Sequence, residues 1–379
     1  MPGFEVIGKE EELAISKIFT EGQGILFAHG FEQLRKRFLV REFEKEVAHK
    51  FKVAYAQAVS SGTAALFVAL KALGIKPGDE VITQSFTFVA TVEAILLLGA
   101  IPVITEIDNT YNMDPYDLSK KITNKTKAII PVHMAGVAVE MNTILDIAKQ
   151  HGVPVLEDTA QAIAGKYDSK YLGTLGDVGA FSFDFGKTLT TGEGGMILTN
   201  NEEIYRAALA FHDHGHEYNP KLGRADDTRK TWGFNFRMSE LNAAVGLVQL
   251  QKLDALVEKS RYVKNKIQIA VKENYPNLQF REIPEKCIEN CDSIIFSLPT
   301  KMETLTVLNR LKKRQIGTKN IPDALKWHFT GYWEHIFNGV SWPQSQDLLE
   351  RSIALPIMSK WNDSFIKEYI DKIIQTLDI

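Results

Sequence analysis

Lys187 stands just after the alternating apolar run Phe181-Ser182-Phe183-Asp184-Phe185 and before the glycine-rich turn Thr191-Gly192-Glu193-Gly194-Gly195. A strand end is a rigid mount. A lysine desolvated there loses its proton more easily and can form a Schiff base with a carbonyl compound. Gly186-Lys187-Thr188 also matches the end of a phosphate-binding G-x-x-x-x-G-K-[ST] loop, which would require glycine at 181. Position 181 is Phe, so that alternative fails.

Three other segments carry compatible chemistry. Ser60-Ser61-Gly62-Thr63-Ala64-Ala65 follows an apolar run and opens a helical pattern, so free first-turn amides and small hydroxyls could hold a phosphate. Read alone, it is a plain helix cap sooner than a phosphate site. Asp158 ends the run Val153-Pro154-Val155-Leu156-Glu157, where a carboxylate could pair with a protonated ring nitrogen or simply cap a helix. Phe86 and Phe88 lie beside another strand end, where one ring could cover a pyridine face, although each taken singly reads as core. A carbonyl, a phosphate and a protonated ring together describe pyridoxal 5'-phosphate.

These residues need a scaffold that ends several strands at one edge. From about 50 to 200 short Val/Ile-rich runs alternate with helical patterns, the signature of an α/β domain with a mostly parallel sheet. The spacing predicts strands at 54–59, 80–83, 101–104, 128–132 and 153–156, with the candidate residues directly after them. Open α/β sheets bind ligands at that edge. Between 239 and 273 an apolar stripe through Leu241, Ala244, Val248 and Leu256 predicts a long amphipathic helix bridging to a second part. The chain beyond about 275 reads as a small α+β domain with a strand near 292–299 and a final helix from Asp363 to Leu377. The expected division is a large cofactor-binding domain with an N-terminal arm, 1–250, and a small C-terminal domain, 251–379.

The chain has 379 residues, 45% of them hydrophobic, ample for a buried core. Lys plus Arg number 44 against 47 Asp plus Glu, a net charge of −3 with no long basic block, so nucleic acid is not an expected partner. No uncharged apolar run reaches about 18 residues and the start lacks a leader pattern. The expectation is a cytoplasmic protein without membrane association. Cys287 and Cys291, with three residues between them, form neither a redox C-x-x-C nor a complete metal site. A nicotinamide dehydrogenase is disfavoured because no strand is followed by G-x-G-x-x-G.

The ordered series Ser61-Gly62-Thr63-Ala64-Ala65-Leu66, Phe86-Thr87-Phe88, Glu157-Asp158-Thr159-Ala160-Gln161-Ala162, Phe181-Ser182-Phe183 with Lys187, Thr191 to Met196, and Gly233-Phe234-Asn235-Phe236-Arg237-Met238 resembles the DegT/StrS family of sugar aminotransferases. The resemblance covers nearly the whole chain. It implies a fold-type-I pyridoxal-phosphate transferase, normally a homodimer with active sites at the subunit interface. It further implies that Lys187 holds the cofactor and moves the proton, and that Asp158 holds the pyridinium proton. Gln161 would contact the ring hydroxyl, Phe88 would stack on the ring, and Gly62, Thr63 and Ser182 would hold the phosphate, joined by Asn235 of the neighbouring subunit. In a dehydrating branch a histidine replaces the lysine; Lys187 favours transamination.

Within the family, Pro2-Gly3-Phe4-Glu5, the run 83–94, His212-Asp213-His214-Gly215-His216-Glu217 and Trp327-His328-Phe329 resemble the 8-amino-3,8-dideoxy-manno-octulosonate transaminases, which act in lipopolysaccharide biosynthesis. That resemblance implies transfer from L-glutamate, leaving 2-oxoglutarate, to the C8 aldehyde of 8-oxo-3,8-dideoxy-manno-octulosonate. A free keto-acid sugar calls for cationic or hydrogen-bonding groups, and the candidates are His212, His214, His216, Arg237 and His328. The histidine cluster is not expected to bind metal, since loop residues converge on one ion only if the backbone cooperates. A solvated loop is its other reading. Arg237 could grip a carboxylate bidentately or form a buried ion pair, and His133 could face the cleft or be structural. The competing functions are amination of a nucleotide-linked keto hexose and a non-catalytic, cofactor-binding regulator.

Overall fold

The computed structural model describes residues 3–378. Five strands, β1 (Tyr55–Val59), β2 (Glu80–Gln84), β3 (Ile101–Thr105), β4 (Thr126–Ile130) and β5 (Leu156–Asp158), come from the first half of the chain. A hairpin of two-residue strands, β6 (Lys166–Tyr167) and β7 (Lys170–Tyr171), precedes β8 (Val178–Ser182) and β9 (Gly195–Thr199). β1, β9, β8 and β5 pair in that order, as do β3, β2 and β4. Parallel bridges Ile129–Val155 and Val132–Asp158 join the two groups into one sheet, β3-β2-β4-β5-β8-β9-β1. Only β9 runs against its neighbours. This is the expected mostly parallel sheet of an α/β fold. β8 and β9 are buried end to end, and β4 at every position but Lys127, which explains why they read as apolar runs rather than strict alternations.

The fifth strand begins later than the spacing predicts. Pro154 has no N–H to give to the ladder, and Val155 makes a single bridge before regular pairing starts at Leu156. The displacement carries the strand through Asp158, so the carboxylate sits on the last rung.

The amphipathic stripe forms one helix, Glu240–Asn274, begun by Ser239, whose hydroxyl accepts from the Asn242 amide. At about 1.5 Å per residue it is about 50 Å long. Leu250, Leu253 and Val257 pack with Phe181, Phe183 and Met196 of the large sheet. Farther along, Val263, Ile267 and Val271 pack with Ile294, Phe296 and Leu355. The division expected at 250/251 therefore falls inside a helix that belongs to both cores. After β10 (Gln279–Phe280) and β11 (Cys287–Ile288), β12 (Ser293–Ser297) and β13 (Ser352–Pro356) complete an antiparallel sheet of order β10-β12-β13. Helices Lys301–Lys313 and Asp363–Leu377 cover it. The segment between β12 and β13 returns to the large core through Ile321, Leu325, Phe329 and Trp342, which pack with Phe86 and Ile104. No helix among the described residues is long and apolar enough to cross a membrane.

Candidate active site

Because β1, β2, β5 and β8 run the same way, the loops after them meet at one edge. They enclose a cavity of about 310 Å³ whose wall includes Gly62, Thr63, Phe88, Asp158, Gln161, Ser182, Lys187 and His328. Eight of the residues singled out in the sequence thus surround one space.

Lys187 sits in a tight turn: its amide donates to the Asp184 carbonyl at 2.9 Å, and the Gly186 amide donates to Asp184 Oδ1 at 2.9 Å. Burial pushes its ammonium below the usual lysine pKa, opposed by the carboxylates of Asp184, Asp158 and Asp292. Asp158 is only 3% exposed. Thr91 Oγ1 donates to its Oδ2 at 2.7 Å and the Ala160 amide to its Oδ1 at 3.1 Å. Burial nevertheless raises the Asp158 pKa, with those donors and the Lys187 charge acting in opposition. A buried carboxylate with no salt-bridge partner among the described residues is a costly arrangement, and a protonated ring nitrogen is a group that would offset it.

The phosphate end is built from close approach. Ser61 caps the helix Gly62–Ala72, its Oγ accepting from the Ala64 amide at 3.0 Å, which leaves earlier amides free. A Cβ on Gly62 would lie 2.6 Å from Ser182 Cβ and 2.8 Å from Ser182 Oγ. Glycine here lets the helix start and the end of β8 form one cradle of N–H and O–H donors. Gln161 Oε1 accepts from the Ala135 amide at 3.0 Å, orienting its NH2 as the remaining donor. Phe88 is 41% exposed beside the cavity, so its ring has a face free for another ring to cover. The donor cradle, the buried carboxylate, the lysine and the open aromatic face together fit pyridoxal phosphate.

His328 enters from a remote segment, the short helix Leu325–His328, which is held by the Thr87 amide donating to the His328 carbonyl at 2.9 Å. Its Nδ1 lies 2.9 Å from the Ala324 carbonyl, which can only accept, so Nδ1 carries the proton. Burial lowers its pKa to about 4, despite the bond to Ala324. At neutral pH it is therefore an uncharged ring offering Nε2 as an acceptor, not a cation. Its ring centroid lies 5.2 Å from that of Phe88. Asn320, which the sequence did not reveal, reaches the same wall from a residue with φ +65°.

The other candidates do not reach the cavity within one chain. His212 is buried elsewhere, donating from Nδ1 to the Leu209 carbonyl at 2.6 Å and receiving Gln57 Nε2 at 3.1 Å; burial lowers its pKa to about 4. His214 is exposed, and His216 Nδ1 lies 3.1 Å from Asp227. Arg237 is 16% exposed and bonds Asp213 at 2.5 Å, so within the chain it makes the ion pair rather than offering a free fork. Among the described residues no three His, Cys, Asp or Glu side chains form a group that could hold a metal ion. His133 is structural: fully buried, it accepts from the Val139 amide at 3.2 Å and donates to Glu157 at 3.0 Å.

Asp213 is the residue sequence reasoning passed over. It accepts two bonds from Arg224, at 2.6 and 2.7 Å, one from Arg237 and one from the Tyr218 hydroxyl. It also bridges to Asn235 through the main chain. One carboxylate thus closes the loop that carries Asn235, which lies outside its own chain's cavity wall.

The sequence and the fold are similar to those of known proteins. The chain is 42% identical over 229 residues to GDP-perosamine synthase of Escherichia coli O157:H7, covering 59% of this chain and 60% of that protein. It is 33% identical over 382 residues to the spore coat polysaccharide biosynthesis protein SpsC of Bacillus subtilis, covering 97% and 94%. The fold superposes on the aminotransferase from Psychrobacter cryohalolentis with a TM-score of 0.85 and 27% identity, covering 98% and 96%. The profile of the DegT/DnrJ/EryC1/StrS aminotransferase family matches residues 31–377. The chain belongs to that family and is a pyridoxal-phosphate-dependent aminotransferase.

Proposed function

We propose that this protein moves an amine from L-glutamate to the C8 aldehyde of 8-oxo-3,8-dideoxy-manno-octulosonate, and that it works as a homodimer. The observation that carries amine transfer is the convergence of Lys187, Asp158 and the Gly62–Ser182 cradle on one cavity. When bound, the cofactor supplies a carbonyl that takes up the amine and a ring that stores the electron pair. Lys187, depressed by burial, releases and recovers the proton at the substrate carbon through Nζ. Asp158 would hold the proton of the ring nitrogen at its carboxylate. Gly62, Thr63 and Ser182 would hold the phosphate at the end of the cavity that Lys187 also lines. Asn235 and the loop closed by Asp213 would complete the cradle of the partner subunit.

The acceptor reading rests on Trp327-His328-Phe329, whose histidine reaches the cavity. Its uncharged Nε2 suits a sugar hydroxyl. Carboxylate recognition would then fall to groups brought by the second subunit. A nucleotide-linked keto hexose is the second reading, favoured by the likeness to GDP-perosamine synthase.

One titration separates the two. L-glutamate should bleach the visible band of the cofactor-loaded protein, and the octulosonate aldehyde should restore it while a GDP-linked 4-keto hexose does not. Restoration by the nucleotide sugar alone would transfer the assignment to the second reading. Replacing His328 with Ala should raise KM for the acceptor roughly tenfold, the worth of one hydrogen bond of about 1.4 kcal/mol. The glutamate half-reaction should be spared; an unchanged acceptor KM would remove His328 from the site.

A further inference from the structure

Gly3-Phe4-Glu5 belongs to a motif that the cavity does not use; Pro2, its first member, lies outside the described residues. Gly3–Val6 forms a short 3-10 turn that lies against the loop bearing Lys187. A Cβ on Gly3 would stand 2.5 Å from the Lys187 carbonyl oxygen and 2.7 Å from that of Thr188. Both are main-chain atoms, so no side-chain rotation relieves the clash, and only glycine fits while the loop keeps its place. The Phe4 ring stacks on Phe185 in the same loop, with centroids 5.2 Å apart and planes at 23°. Glu5 Oε2 accepts from Ser359 Oγ at 2.6 Å and from the Lys360 amide at 3.1 Å, just beyond β13. Lys252 on the long helix secures the far end, donating to the Val6 carbonyl at 2.8 Å and to Glu11.

Consecutive residues therefore touch the Lys187 main chain, the tip of its loop and the exit of the C-terminal sheet. We propose that Gly3–Val6 is a strap of positioning residues that presses the Lys187 loop into place and ties it to the C-terminal sheet. The inference rests on the reading of Lys187 as the cofactor-bearing lysine. Within its own turn the loop is held by the short-range bonds around Asp184. The strap adds restraint from outside the loop. Its value is catalytic register, because a misplacement of about 1 Å at a reacting group can cost about a hundredfold in rate.

The test uses the full-length, cofactor-loaded protein with Gly3→Ala and, separately, Phe4→Ala. Two quantities are read: the pH midpoint of the visible band of the lysine-bound cofactor, and the single-turnover rate of amine uptake from L-glutamate. Gly3→Ala should shift the midpoint and slow the rate roughly ten- to a hundredfold with little change in KM for L-glutamate. Phe4→Ala should move both quantities in the same direction by less. Should Gly3→Ala fail to fold, Phe4→Ala, which adds no atom, decides by the same readouts. Variants that match the unsubstituted protein in midpoint and rate would overturn the strap while leaving the cofactor assignment standing. A loaded, unsubstituted protein with no visible band would overturn the assignment of Lys187 and the strap with it.

Discussion

Lys187→Ala is expected to abolish turnover while leaving the protein folded. The substitution removes the only lysine among the described residues of the cavity wall and with it the two roles proposed for it, covalent attachment and proton transfer. General acid–base catalysis alone is worth about 10² to 10⁴ in rate, and loss of the attaching nucleophile adds to it. Stability should change little, because the half-buried Lys187 side chain makes no hydrogen bond or salt bridge with the described residues, and the desolvation that depresses its pKa disappears with the charge. The purified variant should bind pyridoxal phosphate without the band characteristic of lysine attachment. A variant with normal turnover from L-glutamate would sink the assignment.

The second large effect concerns stability. Asp213→Asn should lower the thermal unfolding midpoint by several degrees, from a loss of about 3 kcal/mol, the lower end of the cost of breaking a buried ion pair. The lower end applies because Arg224 is 30% exposed and can rehydrate, whereas Arg237, at 16%, is less able to. Burial works to raise the Asp213 pKa, but bonds from Arg224 and Tyr218 and the charges of Arg224 and Arg237 outweigh it and hold the carboxyl well below the ordinary 3.8. The sign follows from that depression. Asp213 contributes its full stabilisation above the unfolded value of 3.8, and the contribution is lost as pH falls through the lower folded value. The wild-type protein and the Asp213→Asn variant should therefore converge in stability under strong acid. A difference that stays constant from pH 7 to the acid limit would contradict the ion-pair account. The same substitution loosens the loop of Asn235, so weaker cofactor retention should accompany it in the proposed dimer.

Much of the cavity was legible because its residues sit at the ends of strands whose apolar runs mark them. Lys187, Asp158 and the Ser61–Thr63 turn each follow a run that local patterning exposes, and a parallel sheet sends such ends to one edge. The extent of the long helix was equally plain from its stripe. Pro154 shows where that patterning misleads, since its apolar neighbours read as strand although the missing N–H delays pairing. Asn320 was invisible for another reason: it reaches the cavity from about 130 residues beyond Lys187 on a left-handed turn, with no periodicity to betray it. The 212–217 cluster drew attention to its imidazoles, yet burial leaves His212 neutral and satisfied, and the carboxylate among them organises the loop. Composition reveals which groups are present; which one receives the arginines is settled by three-dimensional packing.

The pairing of β1 with β9 bears on how the protein is made. Residues 55–59 find their ladder partners only at 195–199. At roughly 5–20 residues per second, β1 leaves the ribosome on the order of ten seconds before the strand that covers it. During that interval β2, β3, β4 and β5 can assemble while β1 waits, and β5 keeps an open edge until β8 arrives. The bond of Glu5 to Ser359 closes later still, once residue 359 has been synthesised. The tie from the lysine loop to the C-terminal sheet thus forms last, so a nascent or truncated chain would carry Lys187 with the Gly3 and Phe4 contacts but without that anchor.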